Sequence, residues 1–222
     1  MRKILLLLLI IPSLFFSQKN FEYKTDFNKI LKETKDKKSE LYYPNLLDRY
    51  NKVDSTLTGK EILSMLIAFT ADKNYKPYKD IDFGRNLYKL NEDKKYDEVI
   101  KSGQTFLIKH PFDLKTNFEV AYSYHKLGKQ KQADNYMLKG IQIFKAMSYS
   151  GDGLTIENPM FTLNPSDGQD FILKSLSGNL GTMGSGRDKD ENFTDILEAK
   201  FENGTVQTFY FIIQHAVKKM FE

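Results

Sequence analysis

Cysteine and tryptophan are both missing from this chain. Without cysteine there is no disulfide, no thiolate metal site, no thiol nucleophile and no lipid-modified N-terminal cysteine. Histidine occurs three times, and no two histidines stand at the spacing of a metal-ligand pair. Charge of one sign is scarce too. The formal net charge is +4, and only +2 without Arg2 and Lys3, a balance that lends no support to a nucleic-acid partner. With tryptophan absent, the core has to be built from phenylalanine, tyrosine, leucine and isoleucine.

Long apolar runs are confined to the start. Arg2 and Lys3 precede an unbroken apolar stretch over residues 4–11, Pro12 interrupts it, and residues 13–17 lead into polar Gln18, Lys19 and Asn20. This is the pattern of a cleavable signal peptide over residues 1–17. A helix over residues 4–16 would reach only about 20 Å, short of the roughly 30 Å hydrocarbon core, so an anchor is disfavoured. Ser17 is the small residue expected before a cut at Gln18, although Phe15 departs from the small-residue rule. The expected product is periplasmic or secreted, with no stable membrane insertion of the mature chain.

Residues 18–147 read as helical. Pro44 suits the first turn of a short helix carrying Leu46, Leu47 and Tyr50. Thr58 with Glu61 three residues on is a capping box opening a helix through Ala71. A period of thirty-four residues then emerges. It pairs Leu87 with Ala121, Tyr88 with Tyr122, Val99 with Ala133 and Leu107 with Ile141. Such a period, built as helix, tight turn and helix, resembles the tetratricopeptide repeat. Gly128 permits the tight turn, Ala133 lets paired helices approach, and Pro111 ends one unit. Asn91 and Lys94 depart from the repeat consensus. Two units are read this way. One step back, Pro77 falls opposite Pro111 and Met65 opposite Val99, which makes the helix before Pro77 a candidate degenerate third unit.

Residues 148–222 have a different texture. Ser150, Gly151, Asp152 and Gly153 form a turn-rich break, and short apolar runs follow at residues 154–156 and 160–163. Pro165 and Asp167 precede a helix over residues 169–176. Gly178, Gly181, Gly184 and Gly186 read as a flexible stretch, with no Gly-Lys-Ser/Thr to make it a phosphate loop. Asn203 and Gly204 predict a two-residue hairpin tip. That tip would set Phe201 against Val206, Leu197 against Tyr210 and Ile196 against Phe211, with both faces apolar. The expected fold is α+β: tetratricopeptide-like hairpins followed by a small unit containing a β-hairpin.

Six segments in order carry a resemblance. They are Tyr42-Tyr43-Pro44-Asn45-Leu46-Leu47, Asp54-Ser55-Thr56-Leu57-Thr58, Asn74-Tyr75-Lys76-Pro77-Tyr78, Tyr124-His125-Lys126-Leu127-Gly128, Ser150-Gly151-Asp152-Gly153 and Tyr210-Phe211-Ile212-Ile213. Together they resemble a family of small exported proteins of the Bacteroidota catalogued as a domain of unknown function. The resemblance implies a helical repeat region with a C-terminal β unit. It implies no activity and transfers no catalytic residue.

The candidate site follows from the repeat reading. In such a stack Tyr88, Asn91, Phe118, Tyr122 and His125 would share a concave face, where aromatic rings beside amide and imidazole groups suit an extended peptide or a small ligand. The competing expectation is a shallow groove filled by the C-terminal unit. No catalytic residue, metal ligand or cofactor is assigned. Asp188, Asp190 and Asn192 fall short of a calcium loop, because Phe193 stands where glycine is needed and Ala199 where a bidentate glutamate is needed. The leading expectation is a non-catalytic binding or scaffolding module whose partner is a peptide or envelope protein. The alternative is a small periplasmic enzyme with its site near residues 150–153.

Overall fold

A computed structural model describes residues 20–221; the expected signal peptide and its cleavage point lie outside them. The chain is α+β. Seven helices come first: α1 (Tyr23–Glu33), α2 (Tyr43–Asn51), α3 (Gly59–Phe69), α4 (Pro77–Glu92), α5 (Tyr96–Leu107), α6 (Leu114–Lys126) and α7 (Gln130–Ser150). They are followed by β1 (Met160–Phe161), a short α8 (Asp167–Asp170) running into a π-turn (Phe171–Ser175), β2 (Asn179–Arg187), β3 (Phe193–Lys200), β4 (Val206–Ile212) and α9 (Gln214–Met220).

Local chemistry sets the helix starts. At α3 the Glu61 amide donates to Thr58 Oγ1 at 3.2 Å while the Thr58 amide donates to Glu61 Oε2 at 2.7 Å, closing the capping box. Pro77 opens α4, where its missing N–H is no loss. Asp113 caps α6 by accepting the Thr116 amide at 2.8 Å.

Helices α2, α4 and α6 all end alike. Val53, Lys94 and Gly128 sit at φ of 60°, 60° and 70°. Behind α4 the Lys94 amide donates to Asn91 O at 3.0 Å and the Lys95 amide to Leu90 O at 2.9 Å. Thirty-four residues on, Gly128 donates to His125 O at 3.0 Å and Lys129 to Tyr124 O at 2.9 Å. Both are Schellman closures, which satisfy the carbonyls a helix end leaves over. Val53 and Asp54 repeat the pattern on Tyr50 and Arg49, but at a longer interval from Lys94. One step of thirty-four back from Lys94 falls on Lys60, inside α3.

The helix pairs stack out of chain order. Helix α4 packs on α5 and α6, α6 on α5 and α7, and α7 on α3, which in turn meets α2 and α1. The α2–α3 pair thus closes the stack beside α7, whereas a preceding repeat unit would lie beside α4. Almost every residue of α3 is buried, including Ile62, Leu63, Met65, Leu66 and Ile67, as befits a helix covered on all sides.

The four-stranded sheet has the order β1-β4-β3-β2, with β1 parallel to β4 and the other pairs antiparallel. Two expectations are corrected here. The glycine-rich stretch is β2, an edge strand with an irregular register between Leu180 and Met183, where the Thr182 amide donates to Glu198 Oε2 at 2.8 Å. The β3–β4 register is shifted by one: Lys200 faces Val206, Leu197 faces Phe209 and Ile196 faces Tyr210. Gly204 has a φ of 81° and its amide donates to Phe201 O at 2.9 Å, while the Phe201 amide donates to Thr205 O at 2.9 Å. The loop is therefore three residues with glycine in the left-handed position, not a two-residue tip. The shift gathers Leu197, Ala199, Phe209 and Phe211 on one buried face and leaves Ile196 and Tyr210 on the other, half-buried one.

One apolar cluster runs through both regions, from Tyr50, Leu63 and Phe112 through Phe144 to Phe161, Phe171 and Phe211. Tyr75 helps lock them. It is fully buried, and its hydroxyl donates to Leu163 O at 2.7 Å. No helix among the described residues is long and apolar enough to cross a membrane.

Candidate functional site

Side chains at positions 137, 141, 144 and 148 recur on one face of α7. Facing them are α4, α6 and the π-turn, and between lies a groove of about 990 Å³. Phe118 and Phe144, both buried with ring centroids 5.2 Å apart, form its floor. Gly140 allows this, since a Cβ there would stand 2.6 Å from the tip of the Phe118 ring. Tyr88, Tyr122, Met137 and Ile141 rise at its sides and are each 41 to 49% exposed. Lone exposed apolar side chains are ordinary; four lining one cavity are not.

The polar groups lie at the margins. Asn91 is 5% exposed and spends its amide inside the α4–α6 seam. Its Nδ2 donates to Glu119 Oε2 at 2.9 Å and to Glu119 O at 3.1 Å, and its Oδ1 accepts from Ser123 Oγ at 2.5 Å. Burial raises the Glu119 carboxyl above its ordinary range, against the Asn91 hydrogen bond and the more distant Lys174 and Lys115. Those two lysines are held by the buried Asp170, at 2.8 and 3.5 Å. Lys145 donates to Leu57 O at 2.8 Å. Glu92, Ser148 and Ser175 complete the rim. Lysine ammonium groups already sit against the aromatic edges, Lys115 over Tyr88 at 5.5 Å and Lys126 over Tyr122 at 5.1 Å.

Of the five residues singled out from the sequence, the structure brings Tyr88, Asn91, Phe118 and Tyr122 around the groove. His125 lies outside its lining. It is exposed near the end of α6, with Nδ1 3.0 Å from Gln130 Oε1. Helix packing explains the difference. His125 stands one period after Asn91, and Asn91 is covered because α6 packs on α4, whereas His125 turns to the start of its own partner, α7. Met137, Ile141 and Phe144 were legible as a stripe at helical spacing but were not singled out. Lys174 and Ser175 were not legible, because a π-turn sets their direction.

Residues 150–153 are structurally occupied. Ser150 Oγ donates to Met147 O at 2.6 Å and accepts the Phe161 amide at 2.7 Å. Asp152 Oδ1 accepts the Leu154 amide at 2.9 Å, as in an Asx-turn. Gly153 has a φ of 68°, and its carbonyl accepts the Tyr210 amide at 2.8 Å. Among the described residues no group of three or more histidine or acidic side chains is placed to hold a metal ion.

Neither a curated protein nor a solved structure matches the chain. A family profile does match, over residues 28–221, which is nearly the whole described region and takes in every residue of the groove. The chain belongs to the family described as domain of unknown function DUF4919.

Proposed function

We propose that the protein is an exported, tetratricopeptide-like binding module of the bacterial envelope that grips an apolar segment in the groove between α4, α6 and α7. The observation that carries this reading is the gathering of Tyr88, Tyr122, Met137 and Ile141, all exposed, around a floor of Phe118 and Phe144. Concave, mostly apolar surfaces with a few polar groups at the margin are the usual form of a ligand site. The reading is preferred to an enzyme centred on residues 150–153, because Ser150 and Asp152 spend their side chains on backbone groups.

The test is a titration of the protein with acetyl-Phe-Leu-norleucine-Leu-Phe-amide, a neutral apolar peptide, followed by NMR. Shifts confined to α4, α6, α7 and the π-turn, lost in Tyr122→Ala and Ile141→Ser, support the reading. Absence of binding at millimolar peptide, or binding untouched by both substitutions, rejects it.

A further inference from the structure

Glu119 is a carboxylate placed where a carboxylate should not stand alone. It lies on α6 in the wall of the groove, 6% exposed. Among the described residues no lysine, arginine or histidine comes within ion-pair distance of it: Lys115 and Lys174, the nearest cations to act on it, are both committed to Asp170. Its one side-chain partner is the neutral Asn91 amide at 2.9 Å. Buried charges in folded proteins are paired, and this one belongs to the lining of the groove. Glu92 stands on the same margin, and the Tyr88 and Tyr122 rings flank the corner. The basic groups around the groove are engaged, Lys115 against the Tyr88 ring and Asp170, and Lys126 against the Tyr122 ring. Lys174 is paired with Asp170, and Lys145 donates to a main-chain carbonyl.

The length of the groove narrows the occupant. From Met137 to Ser148 the α7 wall extends about 16 Å at 1.5 Å per residue, which an extended peptide covers with about five residues at 3.3 Å each. Resting on the binding reading above, we infer that the occupant is a short extended peptide segment bearing one lysine or arginine between apolar residues, its cationic group meeting Glu119 at the Tyr88–Tyr122 corner.

The experiment compares three blocked pentapeptides by calorimetry against the full chain: Phe-Leu-Lys-Leu-Phe, the same with norleucine at the centre, and the same with glutamate. The lysine peptide should bind about tenfold tighter than the norleucine peptide, the order expected of a close buried charge pair, and the glutamate peptide more weakly than either. Glu119→Gln should erase that preference, so that the lysine and norleucine peptides bind it alike. Because Glu119 also holds Asn91, thermal melts establish that Glu119→Gln is folded, and Glu92→Gln on the exposed rim serves as a second variant, expected to cut the preference in part. Equal binding of the lysine and norleucine peptides overturns the cation inference and leaves the groove reading intact. So does a preference that survives Glu119→Gln. If no peptide binds, both fall together.

Discussion

Lys94 and Gly128 occupy the same place in successive helix turns, thirty-four residues apart, with φ of 60° and 70° and matching hydrogen bonds on either side. A side chain in that conformation costs about 1–2 kcal/mol that glycine does not incur. Lys94 is exposed, and nothing lies within 4 Å of where a Cβ on Gly128 would sit, so only the backbone decides. Lys94→Gly should stabilise the protein by about 1 kcal/mol and Gly128→Ala should destabilise it by about as much. Urea denaturation of the two variants, with unchanged m-values, checks both.

Asp113 gives a pH dependence of known sign. Burial raises its carboxyl to about 6, against the Thr116 hydrogen bonds that pull it down. A carboxyl raised by folding contributes stability that is fully present below its unfolded value near 4 and is lost as pH climbs through 6. The loss is on the order of 2–3 kcal/mol. Asp113→Asn keeps an N-cap of equal quality and removes the titration. It should therefore gain on the wild type between pH 4 and pH 8 by that amount, measured as the difference in unfolding free energy at the two values.

His215 works in the opposite direction. It is buried against Phe161, with ring centroids 4.4 Å apart, and near Tyr23, Phe27 and Tyr75. Burial lowers its pKa to about 3. A histidine kept neutral by folding costs stability as pH falls from about 6.5 toward that value, on the order of 2 kcal/mol by pH 5. His215→Phe should abolish that part of the acid sensitivity. Comparing the melting temperatures of both proteins from pH 7 to pH 5 decides it, and an equal decline would refute the assignment.

Gly140 is the groove's structural weak point. Gly140→Ala would press a methyl group into the Phe118 ring, at a cost of about 1–3 kcal/mol. A displaced Phe118 ring disturbs the floor of the groove. The expected result is a folded protein with reduced peptide affinity, read by the titration that tests the proposed function, whereas Gly184→Ala, in open space on β2, should leave binding unchanged.

How far the sequence could be read differs by element. The Thr58–Glu61 capping box, the start of α2 near Pro44 and the turn at Gly128 were legible because each rests on chemistry within a few residues. The third helix pair was legible as helices and not as to place, because its neighbour α7 is chosen by burial of the largely apolar α3 and leaves no periodic trace. The β3–β4 register slipped by one because an Asn-Gly pair serves both a two-residue turn and a three-residue loop. The choice between them lies with Phe201, packed against the core. The glycines of β2 hid a strand whose partners are supplied by β3. Met137, Ile141 and Phe144 were readable as a face of α7, but that the face borders a groove depends on where the π-turn comes to rest.

The placing of α3 beside α7 also sets an order of events. As the chain is made from its N-terminus, α3 is complete roughly sixty residues before α7 begins, and the surface it covers does not yet exist. Its leucines, isoleucines and methionine must wait, exposed, until residue 150 or so is available. The pair α4–α5 can close locally in the meantime. A stretch made early is therefore among the last to find its place, and during that interval it is the part of the molecule most in need of a chaperone.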